Sequence, residues 1–278
     1  DQVRLAADGA EHWARRVRRV TGGQGVDAES RFQLDWDPAY ETLTIHRVAV
    51  RRDGRLLDRL DRASVEIVRR EPHFEASLLD GTLSALVVVR DVRAGDVIEH
   101  EFTITGTNPV FGARWFGGFT VHWDLPVRRL AFRVAWPEGR ELRWRAFGTE
   151  AAPVLSARGG MREASWLVEG SPAADPCGDE PPWFDAAGWV QLSEFASWRD
   201  VAAWALPLYS APNPSSDLAQ VVARCAAERD DEARALAALR FVQDDVRYLG
   251  LEHGTGSHQP CAPDLVLERR FGDCKDKA

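Results

Sequence analysis

Methionine and tyrosine are scarce: one Met and three Tyr stand against eleven Trp in 278 residues. Trp carries a large apolar surface with a single donor, so most of the eleven are expected in a core or along a groove wall. Long apolar runs are missing. The longest cluster, Leu83 to Val89, has the length of a strand and falls far short of the ~20 residues a membrane helix needs. There is no excess of positive charge. The formal charge is −8, from 35 basic and 43 acidic residues. This argues against nonspecific nucleic-acid binding, which requires a basic face to displace counterions. The short basic run Arg15 to Arg19 reads as a solvated strand or turn. The four cysteines, Cys177, Cys225, Cys261 and Cys274, contain no C-x-x-C pair. In a chain this long they are weak evidence for a disulfide framework. An initiating Met and a signal-peptide pattern are also lacking, so the first residues leave the compartment open.

What is present is a change of period along the chain. From Phe32 to Glu169 short runs alternate apolar and polar, which is strand patterning. Ile98, His100, Phe102 and Ile104 fall on one face of the clearest run; Glu99, Glu101, Thr103 and Thr105 fall on the other. Phe119, Val121 and Trp123 share a side, as do Leu130, Phe132, Val134 and Trp136. Leu142, Trp144 and Ala146 follow, then Ala164, Trp166 and Val168. Asp53-Gly54 and Pro137-Glu138-Gly139 supply turn chemistry between runs, and Gly22, Gly23 and Gly25 punctuate an earlier hairpin. An antiparallel β-sandwich-like domain is expected over residues 1–190, with Trp123, Trp136 and Trp144 in its core. Between Gly170 and Pro182, prolines and Gly178 break regular structure, and Cys177 lies in that linker.

Residues 191–278 read as helical. Ser197, three residues before Asp200, caps a helix carrying Val201, Trp204, Ala205 and Leu208. Ser215 or Ser216 caps the next, where Leu218, Val221, Val222 and Cys225 share a face; Cys225 reads there as a small buried side chain. A third helix, Asp231 to Val246, is expected to bury Leu236, Leu239, Val242 and Val246. Val246 to Leu251 then reads as a short strand.

The chemistry concentrates near the carboxy end. Gly272-Asp273 is a turn signal, and Cys274 to Ala278 suit the first turn of a helix. A thiol there faces unpaired N–H groups, which favour thiolate. Lys275 and Lys277 add to this and Asp273 and Asp276 oppose it. The N–H groups that follow could form an oxyanion hole. Other groupings read more simply. The spacing of His253, His258, Cys261 and Cys274 matches no common zinc pattern. Gln243 and Gln259 read as surface residues, although an amide donor to an oxyanion is the alternative. Asp244-Asp245 reads as a solvated pair. No metal or cofactor is expected.

The segment from Phe241 to Ala278 resembles the opening of bacterial transglutaminase-like, papain-like cysteine domains. The resemblance lies in V-R-Y-L-G-L-E, a Gly-rich loop, Q-P, a short helix and R-R-F-G-D-C-K-D-K-A. The β-rich region and W-V-Q-L-S-E-F-A-S-W at Trp189–Trp198 resemble what commonly precedes such domains. The resemblance implies an α+β protein that enters a transglutaminase-like domain, with Cys274 as nucleophile toward an acyl carbon. It implies a His and an Asp as partners on strands past Ala278, so these 278 residues alone are expected to show no turnover. The implied substrate is a protein, a peptide or cell-wall peptide. An exported, periplasmic location fits such proteins. The alternative is a β-rich binding module for a protein or cell-envelope polymer, with a non-catalytic thiol domain.

Overall fold

The computed structural model describes all residues except 62–63, 72–73, 113, 175–180, 182–186 and 211–212. Cys177 and most of the expected linker lie outside the described residues. The architecture is strand-rich and mixed. An eight-stranded sheet runs in the order Val154–Arg158, Met161–Ser171, Val127–Pro137, Gln2–Leu5, Ala10–Arg19, Val97–Thr105, Thr42–Arg52, Arg55–Asp58. It is not wholly antiparallel, because Gln2–Leu5 runs parallel to Val127–Pro137. Asp53 and Gly54, both at positive φ, close the last hairpin in the two-residue turn expected of that dipeptide.

Two three-stranded sheets cover one face of this sheet. One joins Phe116–Thr120, Trp189–Ser193 and Arg143–Phe147; the other joins Arg31–Trp36, Leu83–Val88 and Val65–Arg69. Period-two geometry shows that both cover the same side. Ala10 and Ala14 are four residues apart on one strand and therefore share a face. Ala10 packs with Val190, Leu192 and Trp166; Ala14 packs with Leu34, Ala85 and Phe102. A third cluster places Val48, Val50 and Ile98 against Val87 and Val89. Aromatic pairs knit the first cluster: Phe119 stacks on Phe132 at 4.3 Å, and Trp166 meets Trp144 edge-on at 6.1 Å. Each such pair adds about 0.5–1.5 kcal/mol beyond its buried area.

The opposite face departs from simple alternation. Glu99 points away from the core yet is only 2 % exposed. Arg15 and Arg47 each reach it at 3.0 Å and roof it with their stems. Burial pushes the Glu99 carboxyl up, but these guanidinium bonds outweigh it and hold the group below the usual range.

Several expectations need correction. The glycines near 22–25 open a helix, Gly23–Glu29, whose Val26 packs beneath the sheet, and not a hairpin. Pro137-Glu138-Gly139 crosses between sheets: Val127–Pro137 pairs with Met161–Ser171, whereas Arg143–Phe147 pairs with Trp189–Ser193. Trp136 is buried and Trp144 packs against the core, but Trp123 lies past the end of its strand and is half exposed. Trp189–Ser193 is the central strand of its sheet, and the next helix is capped by Ser197.

The helices Trp198–Ala205 and Ser216–Ala226 are capped by Ser197 and by Ser215 of the two candidate serines, and Asp231–Asp245 starts at the expected residue with Asp230 as its cap. Their apolar faces are not buried. Leu236 and Leu239 are exposed, and of the expected third-helix stripe only Val246 is sealed. Cys225 is half-buried.

Candidate functional site

The segment carrying Cys274 is held from three sides. Arg247–Tyr248 pairs in parallel with Phe271–Gly272, and the Leu249 amide donates to the Gly272 carbonyl at 3.1 Å. Two residues on, the same stretch turns its bonds the other way. Gly250–Leu251 pairs in parallel with Leu78–Leu79, with Gly250 N–H donating to Ser77 and Glu252 N–H to Leu79, each at 2.8 Å. Gly250 is buried between the two. A Cβ there would collide with Leu78 Cδ2 and lie 3.4 Å from the Asp273 Cβ. Gly272 is equally confined, because a Cβ would lie 2.5 Å from that of Asp276.

Cys274 opens a single helical turn, Cys274–Lys277. Asp273 caps it, accepting from the Lys275 and Asp276 amides at 2.8 and 3.1 Å. Asp276 reciprocates by accepting from the Asp273 amide at 3.2 Å, which completes a capping box. Asp276 also accepts from Arg269 and from the Cys261 amide, both at 2.6 Å. Lys275 donates to Asp273 at 2.6 Å and to Glu252 at 3.0 Å. Lys277 donates to the Val246 carbonyl at 2.6 Å. Every charged side chain beside Cys274 is thus engaged in holding the turn. The thiol itself is exposed and free.

This changes the electrostatic reading of the motif. The two lysines and two aspartates do not act as loose charges around the sulfur: Lys275 pairs with Asp273 and Glu252, Asp276 pairs with Arg269, and Lys277 is held by the Val246 carbonyl. Burial pushes Asp273 up, but Lys275 and the cap amides outweigh it, so its carboxyl sits below the usual range. Burial would lower Lys275, but Asp273 and Glu252 hold its ammonium well above the ordinary lysine value. Partial desolvation, then the charges of Cys274, Asp273 and Glu252, raise the Tyr248 phenol.

His258 lies in the neighbouring loop. It stacks edge-on against Phe111 at 4.7 Å and pairs through Nδ1 with Ser257 Oγ at 2.8 Å. Burial and then the nearby Lys275 charge lower its pKa against the opposing pull of Glu252. Among the described residues no hydrogen bond joins Cys274 to an imidazole. Gln243 and Gln259 are exposed, and Asp245 pairs with Arg270 at 3.3 Å. His253, His258, Cys261 and Cys274 do not converge as a metal-binding group among the described residues. Cys261 enters the site through its backbone.

The pocket at Arg114, Arg140, Arg143, Glu141 and Glu194, about 520 Å³, does not include Cys274. Sequence reasoning missed Glu252, Arg269, Asp276 and Gly250 as builders of the site. One signal was available: Lys275 and Lys277 are the chain's two lysines, and every other basic residue apart from histidine is arginine. A second was the aspartate pair three residues apart, which is a capping-box spacing.

Comparison with known proteins gives two findings. A family model described as a domain of unknown function with a solved structure, DUF3857, matches residues 8–175. A crystal structure of a "putative protease" from Parabacteroides distasonis superposes with a TM-score of 0.82 at 15 % identity, covering 100 % of this chain and 55 % of that one. The chain therefore spans little more than half of that protein, and at this identity the likeness is one of fold. A search of curated proteins returned no match.

Proposed function

This chain belongs to the DUF3857 family, and on that premise we propose that it carries the nucleophile segment of a transglutaminase-like cysteine enzyme. In this reading the Cys274 thiolate attacks the carbonyl carbon of an amide. The C–N bond breaks, the amine leaves with a proton from an imidazolium, and a thioester remains. Water or a second amine then resolves it. The substrate is a protein, a peptide or cell-wall peptide. The observation that carries the reading is the division of labour around Cys274. Its charged neighbours are spent on fixing the turn, and Cys274 is exposed and outside any disulfide. The fold shared with a protein described as a protease is compatible with it.

The test is competitive alkylation, with Cys225 and Cys261 as internal references. In the full-length protein Cys274 is expected to react at least tenfold faster than either, and Cys274→Ala to abolish hydrolysis or transamidation of peptide amides. Equal, slow labelling of the three thiols would sink the assignment. Turnover that survives in Cys274→Ala would do the same.

A second reading is a binding module for a protein or cell-envelope polymer. It draws on the uncovered apolar side chains of the helical part, Trp198 at 87 % exposure foremost, since contiguous apolar surface marks association sites. Rapid, selective reaction at Cys274 would count against it.

A further inference from the structure

We infer that the DUF3857 region serves as the positioning scaffold of the Cys274 turn, with Leu78 and Asn108 as its positioning residues. The inference rests on the nucleophile reading for its meaning, but its geometry stands independently. Contacts at Leu78–Leu79, Asn108 and Asp37 reach from residues 8–175 to the stretch that precedes the turn. The first is the parallel pairing of Leu78–Leu79 with Gly250–Leu251. The stretch so paired also donates from Leu249 to Gly272, two residues before the sulfur. A displacement of Leu78 therefore reaches Gly272 through one short strand. Gly250 makes the coupling tight, because its missing side chain lets Leu78 seat against it, with the Asp273 Cβ also bordering that space.

The second contact is Asn108, a buried amide. Its Nδ2 donates to the Gly254 carbonyl at 3.0 Å and to Ser257 Oγ at 2.9 Å, while its Oδ1 accepts from Val110 at 3.0 Å. The third is Asp37, which accepts from the Gly254 amide at 3.2 Å. Together they fix the loop Gly254–Ser257, and Phe111 of the same region meets His258 edge-on at 4.7 Å. A buried amide satisfied on both sides tolerates little displacement, since an unmade bond there carries the full desolvation cost. The scaffold thus grips the segment before the nucleophile at two points, and neither touches the sulfur.

The experiment uses the full chain and reads Cys274 directly, so it needs no turnover. Gly250→Ala drives a Cβ into Leu78 Cδ2, beside the Asp273 Cβ at contact distance; Leu78→Ala removes the colliding atom. Gly250→Ala is expected to move the pH profile of Cys274 alkylation and to speed amide exchange of Lys275 and Asp276 at least tenfold. Cys225 alkylation should stay unchanged. Adding Leu78→Ala should restore both readouts to within about threefold, because contacting residues couple non-additively. Asn108→Ala gives a variant at the second grip, with faster exchange expected at Gly254 and in the Cys274 turn. The inference is overturned if Gly250→Ala and Asn108→Ala leave the Cys274 turn unaltered. It is also overturned if Leu78→Ala worsens Gly250→Ala. An unreactive Cys274 in the parent chain, with the exchange coupling intact, would instead remove the nucleophile reading alone.

Discussion

At the scale of single residues, the turn around Cys274 is an electrostatic clasp with a defined pH window. Asp273 has a folded-state pKa below its ordinary value. Its contribution is therefore complete above about pH 4, the unfolded carboxylate value, and is lost as pH falls through the lower folded value. Lys275 is shifted upward. Its contribution is complete below about pH 10, the unfolded lysine value, and is lost as pH rises through the higher folded one. Both are present across the neutral range. Amide protection of Lys275 and Asp276, measured by NMR and corrected for intrinsic exchange, should stay flat across neutral pH and fall on the acid side. Asp273→Asn keeps an acceptor for the cap but removes the titration, so the acid limb should disappear. Persistence of that limb in the variant would assign it to another carboxylate.

At the scale of elements, strands were legible in the sequence and helix burial was not. Alternation over Val97–Thr105, Val127–Pro137 and Met161–Ser171 placed the right side chains inward, because a strand's two faces differ wherever one is covered. It did not reveal the buried Glu99, since a carboxylate roofed by guanidiniums looks like a surface residue in sequence. Nor could it tell which strands pair. Val127–Pro137 and Arg143–Phe147 are neighbours in the chain but lie in different sheets. For the helices, capping residues gave the starts correctly because caps act locally. The apolar stripe misled, because period alone does not state what packs against it. Leu239 is 51 % exposed, whereas Val246 is 4 % exposed. Leu239→Ala should change stability by no more than about 0.5 kcal/mol, as surface substitutions do. Val246→Ala should cost about 2 kcal/mol through lost burial and the cavity left behind. Urea unfolding of the two variants separates these values. Similar losses at both positions would mean that the stripe is covered in solution.

At the scale of the whole molecule, stability is unevenly distributed, and this sets how the candidate site behaves. The three sheets bury three apolar clusters: one around Val3 and Trp166, and two, around Val50 and Val87 and around Ala14 and Phe102, that share Phe32, Ile45 and Val65. The helices Trp198–Ala205, Ser216–Ala226 and Asp231–Asp245 contain no buried residue. Among the described residues their ties to the sheet region include Trp204, which donates to the Val110 carbonyl at 2.9 Å and stacks on Phe111 at 4.9 Å, and Arg114 pairing with Asp200 at 3.1 Å. Helices of 8, 11 and 15 residues are marginal in water without tertiary burial. They are therefore expected to open below the global unfolding free energy, as a separate cooperative unit. The Cys274 turn should not open with them, because its grips run to the sheet region through Leu78, Asn108 and Asp37. Native-state hydrogen exchange in rising urea tests this. Amides of 216–245 should exchange first, with a shallow urea dependence. Those of Leu249, Lys275 and Asp276 should follow later and with a steeper slope, nearer to Val97–Thr105. If 216–245 and the Cys274 turn share one opening, the thiol segment belongs energetically to the helices, and the sheets do not hold it.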